Sequence, residues 1–156
     1  MNYETAMRAL CDMVYHEAVR MPHLEGLPVH TLAEKGGKDF LGFSSLIVVS
    51  GVLGSGHTMA VQDATKGFTS ITLMAKHALN APQTTMASLQ PKEGSRRRSV
   101  LVLDCFPGMT DREQHDIKEM VTRPGAEGIL FIIVTGEQEE TKRGILPKGW
   151  HINFPC

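Results

Sequence analysis

Several apolar runs in this chain are too short for helices and too continuous for strands with one wet face: "SSLIVVS" at 44–50, "SVLVLDC" at 99–105 and "GILFIIVTG" at 128–136. A half-solvated strand alternates polar and apolar residues. These runs do not alternate, and they are rich in Val and Ile, which marks strands covered on both faces. Such strands belong to parallel sheets, and parallel neighbours need a crossover, usually a helix. The segments between supply the helices. "HTMAVQDATK", 57–66, is followed by Gly67, a fitting stop. "TDREQHDIKEMVTR", 110–123, sets Ile117, Met120 and Val121 on one face, with Asp111 and Glu113 favourable to the dipole of its first turn. "FTSITLM", 68–74, reads as a further strand, or with "AKHALN" as part of a helix, and "GWHINF", 149–154, as a fifth strand. Residues 81–99 are polar and proline-bearing, mostly loop with room for one short helix. Met7, Leu10, Cys11, Val14 and Ala18 recur at helical spacing, so 3–20 is an amphipathic helix with Asn2 as its cap. The expectation is a single α/β domain over 1–156, a three-layer sandwich on a mostly parallel five-stranded sheet. Its N-terminal helix and connector take 1–43 and its core 44–156.

Bulk properties narrow the partners. With 42% hydrophobic and 21% charged residues, a net charge of −1 and a pI near 6.6, the chain exerts no global pull on nucleic acid or acidic membrane. Cys11, Cys105 and Cys156 are odd in number, far apart and without a C-x-x-C pair, which argues against a disulfide framework and a structural zinc site. No signal-peptide pattern opens the chain and no apolar run reaches the ~18 residues of a membrane span. These features give an expectation of a cytoplasmic protein without a membrane span.

The run at 44–50 leads directly into "GVLGSGHT", 51–58. Consecutive backbone N–H groups at the start of a helix hold phosphate well, and glycines let the backbone approach its oxygens. The pattern G-x-x-x-x-G-K-[ST] between a strand and a helix is the sequence form of that device. Gly51, Gly56 and Thr58 match it, and Gly54 and Ser55 suit the loop, but His57 stands where the lysine belongs. A second element follows, the strand "SVLVLD", closed by Asp104.

Together the loop and the strand resemble the P-loop NTPases, with a Walker A-like loop at 51–58 and a Walker B-like strand at 100–104. The segment "GAEGILFIIVTGEQEETKRGILPKGWHINF" resembles the last strands of RecA-like DNA translocases and secretion coupling ATPases. "VLVLDCFPGMTD" also resembles MinD/ParA-type ATPases, but Val52 occupies the place of their signature lysine, which favours the RecA-like side. The resemblance implies a P-loop NTPase (RecA-like) architecture. It implies ATP at Gly51, Gly54, Ser55, Gly56, His57 and Thr58, and Mg²⁺ at Thr58 and Asp104. It also implies a sensor role for Thr135. Two departures weigh against catalysis. Imidazole is shorter than lysine and mostly neutral at pH 7. Cys105 takes the place where many RecA-like ATPases carry a glutamate that polarises water, and a thiol is no such base without a large pKa shift. No catalytic residue is assigned.

Three functional readings follow. The first is a degenerate P-loop protein, a non-catalytic subunit or regulator in a larger assembly, joined to a protein partner or to copies of itself. In this reading Arg96, Arg97, Arg98 and Arg143 are candidates to act in trans on a neighbour's nucleotide. The second is an active translocase- or ParA-like ATPase with His57 replacing lysine. The third is a nucleic-acid-binding subunit using the Arg96–Arg98 loop. His16, His23 and His30 are spaced by seven, but Pro22, Gly26 and Pro28 interrupt them, so they do not share a helix face. "EQEE", 137–140, reads as an exposed turn, and Trp150 as a core residue.

Overall fold

A computed structural model describes residues 2–19, 46–90, 97–105, 108–123, 126–136 and 150–155. The connector at 21–43, His23, His30, Arg96, the acidic turn at 137–140, Arg143 and Cys156 lie outside them. The elements run α1 (Tyr3–Ala18), β1 (Leu46–Ser50), α2 (His57–Ala64), β2 (Ser70–Met74), α3 (Ala75–Asn80), α4 (Pro82–Ser88), β3 (Ser99–Asp104), α5 (Asp111–Val121), a 3₁₀ turn (Ala126–Gly128), β4 (Ile129–Thr135) and β5 (Trp150–Asn153).

The continuous apolar runs become the sheet interior. All five residues of β1 and all seven of β4 are buried, as are the first five of β3. The strands pair only in parallel, in the order β2-β3-β4-β1-β5. Because side chains alternate across a strand, each run feeds two cores. Ile47, Val49, Val100, Val102, Leu130, Ile132 and Val134 pack with Leu10 and Val14 of α1 and Ala60 and Val61 of α2. Leu46, Val48, Leu101, Leu103, Ile129, Phe131 and Ile133 pack with Ala75, Ala78, Met86, Ile117 and Met120 of α3, α4 and α5. Three layers result, as the sequence predicts. Leu10 is wholly buried in the first core, so truncating it to alanine is worth about 2–5 kcal/mol.

Local signals set the helix starts. Asn2 accepts a hydrogen bond from the Thr5 N–H at 2.8 Å. Thr110 and Glu113 form a reciprocal capping box at α5, at 3.1 and 3.0 Å. At 68–80 both sequence readings hold in part, because the strand ends at Met74 and a helix begins at Ala75. Trp150 corrects an expectation: it is 41% exposed rather than core, and its indole N–H donates to the buried carboxylate of Glu17 at 3.0 Å. An edge-strand position explains this, since among the described residues β5 has a neighbour on one side only. Among the described residues no helix is long and apolar enough to cross a membrane.

Candidate functional site

In an open parallel sheet ligands gather beyond the carboxyl ends of the strands, where the order of winding reverses. Here β1 is flanked by β4 and β5, while the chain leaves it for the far edge at β2. The loop that follows β1 therefore lies beside the ends of β4 and β5, and one strand away from the end of β3. Asp104 and the glycine loop are thus about two strand spacings apart, roughly 10 Å.

The loop turns sharply. Gly54 and Gly56 have φ of 91° and 79°, a region that side chains disfavour, which accounts for glycine at both positions. The Gly51 N–H donates to the carbonyl of Thr135 at 3.1 Å, and the Ser55 N–H donates to Val52 at 3.0 Å. Helix α2 starts at His57 with Gly56 as its cap and no side-chain cap bond. Its first-turn N–H groups are beyond the reach of intrahelical acceptors.

His57 does not extend outward. It is 4% exposed, and its Nδ1 lies 2.8 Å from the Ser55 hydroxyl, itself buried. Both side chains sit over Gly51: a Cβ placed there would come within 2.4 Å of Ser55 Oγ and 3.0 Å of the imidazole Cγ and Nδ1. The ring also meets the backbone of Thr135 and feels the charge of Asp104. Burial holds the His57 pKa below its usual value, against the opposing pulls of Thr135 and Asp104. Burial favours the neutral ring, and which of Ser55 Oγ and Nδ1 donates follows from its tautomer. Ser55 and His57 thus pack inward against Gly51.

The other predicted residues are distributed as follows. Thr58 is exposed, and Asp104 is half-buried at the end of β3. Cys105 is buried, and its thiol is pushed up to about 12, first by burial and then by Glu113 and Asp104. Thr135 ends β4, fully buried. Arg97 is exposed, with its guanidinium 5.2 Å from the centre of the Phe68 ring. Arg98 is 1% exposed, and its N–H donates to Ala18 at the end of α1. Its guanidinium is therefore held within the chain rather than displayed on the surface.

One cluster escapes sequence reasoning. Ser50 Oγ donates to Asn153 Oδ1 at 2.9 Å and lies 3.0 Å from His151 Nε2. The only hint of it was a serine closing an apolar strand. Parallel registry of β1 with β5 aligns the three. Among the described residues no group of three or more His, Cys, Asp or Glu could hold a metal ion.

No protein-family model and no curated protein matches the chain. Solved structures do. One is the structure of C. elegans PCH-2, with a TM-score of 0.53 at 10% sequence identity. The match covers 96% of this chain and 42% of that one, so the chain spans less than half its length. At that identity the likeness is one of fold, and it supports a P-loop-like α/β architecture.

Proposed function

We propose that the chain is a degenerate P-loop protein that serves as a non-catalytic subunit or regulator in a larger assembly and holds nucleotide weakly or not at all. The observation that carries this reading is the filled loop. Its backbone has the form of a phosphate cradle, with two left-handed glycines leading into the start of α2. Its side chains do not: Ser55 and His57 occupy the inside, and the ring there is held neutral rather than cationic. A phosphate would have to displace both side chains and would meet no lysine charge. Were Mg²⁺–ATP to bind, Gly51, Gly54, Ser55, Gly56, His57 and Thr58 would surround the phosphates, and Thr58 and Asp104 would hold the metal. Cys105, protonated across the physiological range, is no base for an attacking water.

The assembly role rests on what such a chain can still lend. An arginine offered to a neighbour's nucleotide stabilises charge developing on the transferred phosphate. Arg97 is exposed for that purpose; Arg96 and Arg143 are further candidates. Val52, where MinD/ParA-type ATPases carry their signature lysine, favours the RecA-like lineage.

Calorimetry with Mg²⁺–ATP and a steady-state phosphate-release assay test the first half. Wild type is expected to release phosphate no faster than buffer, and His57→Lys to gain nucleotide affinity. Robust turnover abolished by Thr58→Ala would instead establish the active-ATPase alternative. Sedimentation at micromolar concentration tests the second half. A protein monomeric both alone and with a candidate partner, whose ATPase rate ignores Arg97→Ala, has no assembly role.

A further inference from the structure

A second surface lies at the edge of the sheet formed by β2, three strands from β1 and its glycine loop. Among the described residues strand β2 is an edge of the sheet, pairing only with β3. Strands of parallel sheets are ordinarily covered on both faces. Here Ser70, Ile71, Thr72 and Met74 are all exposed and Leu73 is half-buried, with Ile71 at 37% and Met74 at 52%. The edge carries none of the usual protections, because "SITLM" contains no proline, no charge and no glycine.

The ladder fixes which backbone groups face outward. The Val100 N–H donates to the carbonyl of Thr69, and β2 runs parallel to β3 in the register Ser70 with Val100. In a parallel pair alternate residues bond to the same neighbour, so Thr69, Ile71 and Leu73 point their peptide groups at β3. Ser70, Thr72 and Met74 point theirs outward, where no strand among the described residues meets them.

Charge then selects the partner. Residues 63–104 hold six Lys and Arg (Lys66, Lys76, Lys92, Arg96, Arg97 and Arg98) and three acids, Asp63, Glu93 and Asp104, the last in register with Met74. That is +3 in a chain whose net charge is −1. Around the edge itself Lys66 and Arg97 flank the start of β2, and Lys76 and His77 follow its end, all exposed. Lys66 already pairs with Asp63 at 3.2 Å, across a solvent-exposed contact of little strength. Two copies of β2 paired antiparallel would bring these like charges together, which disfavours self-association through this edge.

We infer that β2 is a docking edge for an extended peptide segment that adds as a sixth strand, with an alternating apolar core and Asp or Glu at both ends. Main-chain bonds to Ser70, Thr72 and Met74 would supply the pairing. Ile71 and Met74 would supply apolar contact on the two faces, and the basic flanks would set polarity of charge.

The probe is a fluorescein-labelled peptide, Glu-Glu-Val-Thr-Val-Thr-Val-Glu-Glu, titrated with the full chain and followed by fluorescence anisotropy. Its controls are the same core with Lys ends, the same peptide with its central Val replaced by Pro, and a ten-residue oligo-dT. The acid-ended peptide is expected to bind at least 5-fold tighter than the Lys-ended one, and the proline peptide to lose binding. Thr72→Pro removes an outward N–H while leaving the β3 ladder intact, since proline is tolerated on edges whose N–H faces solvent. It should weaken binding at least 10-fold with an unchanged circular dichroism spectrum. Lys76→Glu, a surface change, should erase the preference for acidic ends. Equal binding of acidic and basic peptides, no binding at millimolar protein, insensitivity to Thr72→Pro, or tighter binding of oligo-dT would each overturn the proposal; the last would make the surface a nucleic-acid site.

Discussion

Gly51→Ala separates a filled loop from an open one. In an open phosphate cradle a methyl group at this position would enter vacant space and cost little. Here the new Cβ would stand 2.4 Å from Ser55 Oγ, nearer than the 3.0 Å within which real Cβ atoms essentially never come. Either the serine rotates away or the loop spreads. Rotation forfeits the Ser55–His57 bond inside a buried site, about 1–3 kcal/mol. Spreading is an overpacking cost of about 1–3 kcal/mol. The stiffer unfolded chain offsets roughly 0.4–1 kcal/mol. A net loss of about 1–2 kcal/mol follows, or about 2–8 °C in Tm for a domain of this size. Urea denaturation should show a lower midpoint with an unchanged slope. Ser55→Ala removes the same hydrogen bond, so the double variant should fall short of the summed single effects by about 1 kcal/mol. A Gly51→Ala protein within 0.5 kcal/mol of wild type (roughly the noise of independent surface changes), or strict additivity, would refute the packing described for the loop.

Other outcomes follow from the same geometry. The lowered His57 pKa means that the unfolded chain takes up that proton first. The stability it contributes is therefore complete above the unfolded value of about 6.5 and lost as pH falls through the folded value. Melting curves from pH 7.5 to 5.5 should fall less steeply for His57→Gln than for wild type. Cys105, buried and with a thiol raised to about 12, should resist iodoacetamide at pH 8 in the folded protein and react once urea unfolds it, as mass spectrometry of the labelled peptide will show. Thr110→Ala removes the capping box of α5 and should cost about 1 kcal/mol by denaturant midpoint.

The sheet was legible in the sequence because burial on both faces leaves a mark, an unbroken apolar run, at 46–50, 99–104 and 129–135. Strand β2 was harder: it is exposed on both faces, so the residues of "SITLM" fit a strand or a helix until the β3 ladder is seen. The glycine loop was legible as a loop, since left-handed φ at Gly54 and Gly56 is what glycine is for. The direction of His57 was not. Spacing places a residue on an element but does not choose its rotamer, and the inward one depends on a carbonyl at Thr135, some eighty residues on. Arg98 was misjudged for a similar reason. A run of three arginines reads as solvated surface, while the bond from its N–H to Ala18 ties it beneath the end of α1.

The contacts of His57 also bear on why a glycine-rich turn suits histidine at this position. A phosphate cradle left empty carries unmet backbone donors and a hollow, and something must fill both. Histidine is short enough to fold back over Gly51, and its ring bonds to Ser55 within the loop while meeting the end of β4. Lysine could do this only by burying a charge beside apolar strands, at a cost of several kcal/mol unless paired. The outer side of the turn is occupied as well. The Tyr3 ring lies 3.3 Å from where a Cβ on Gly56 would stand, and it packs edge-on against Phe154, with centroids 5.5 Å apart. Gly56 is therefore held by its left-handed φ and by the docking of α1, neither of which involves a nucleotide. On the reading proposed above, packing alone retains the turn, and changes at Gly56 should unfold the α1 contact before they alter any binding.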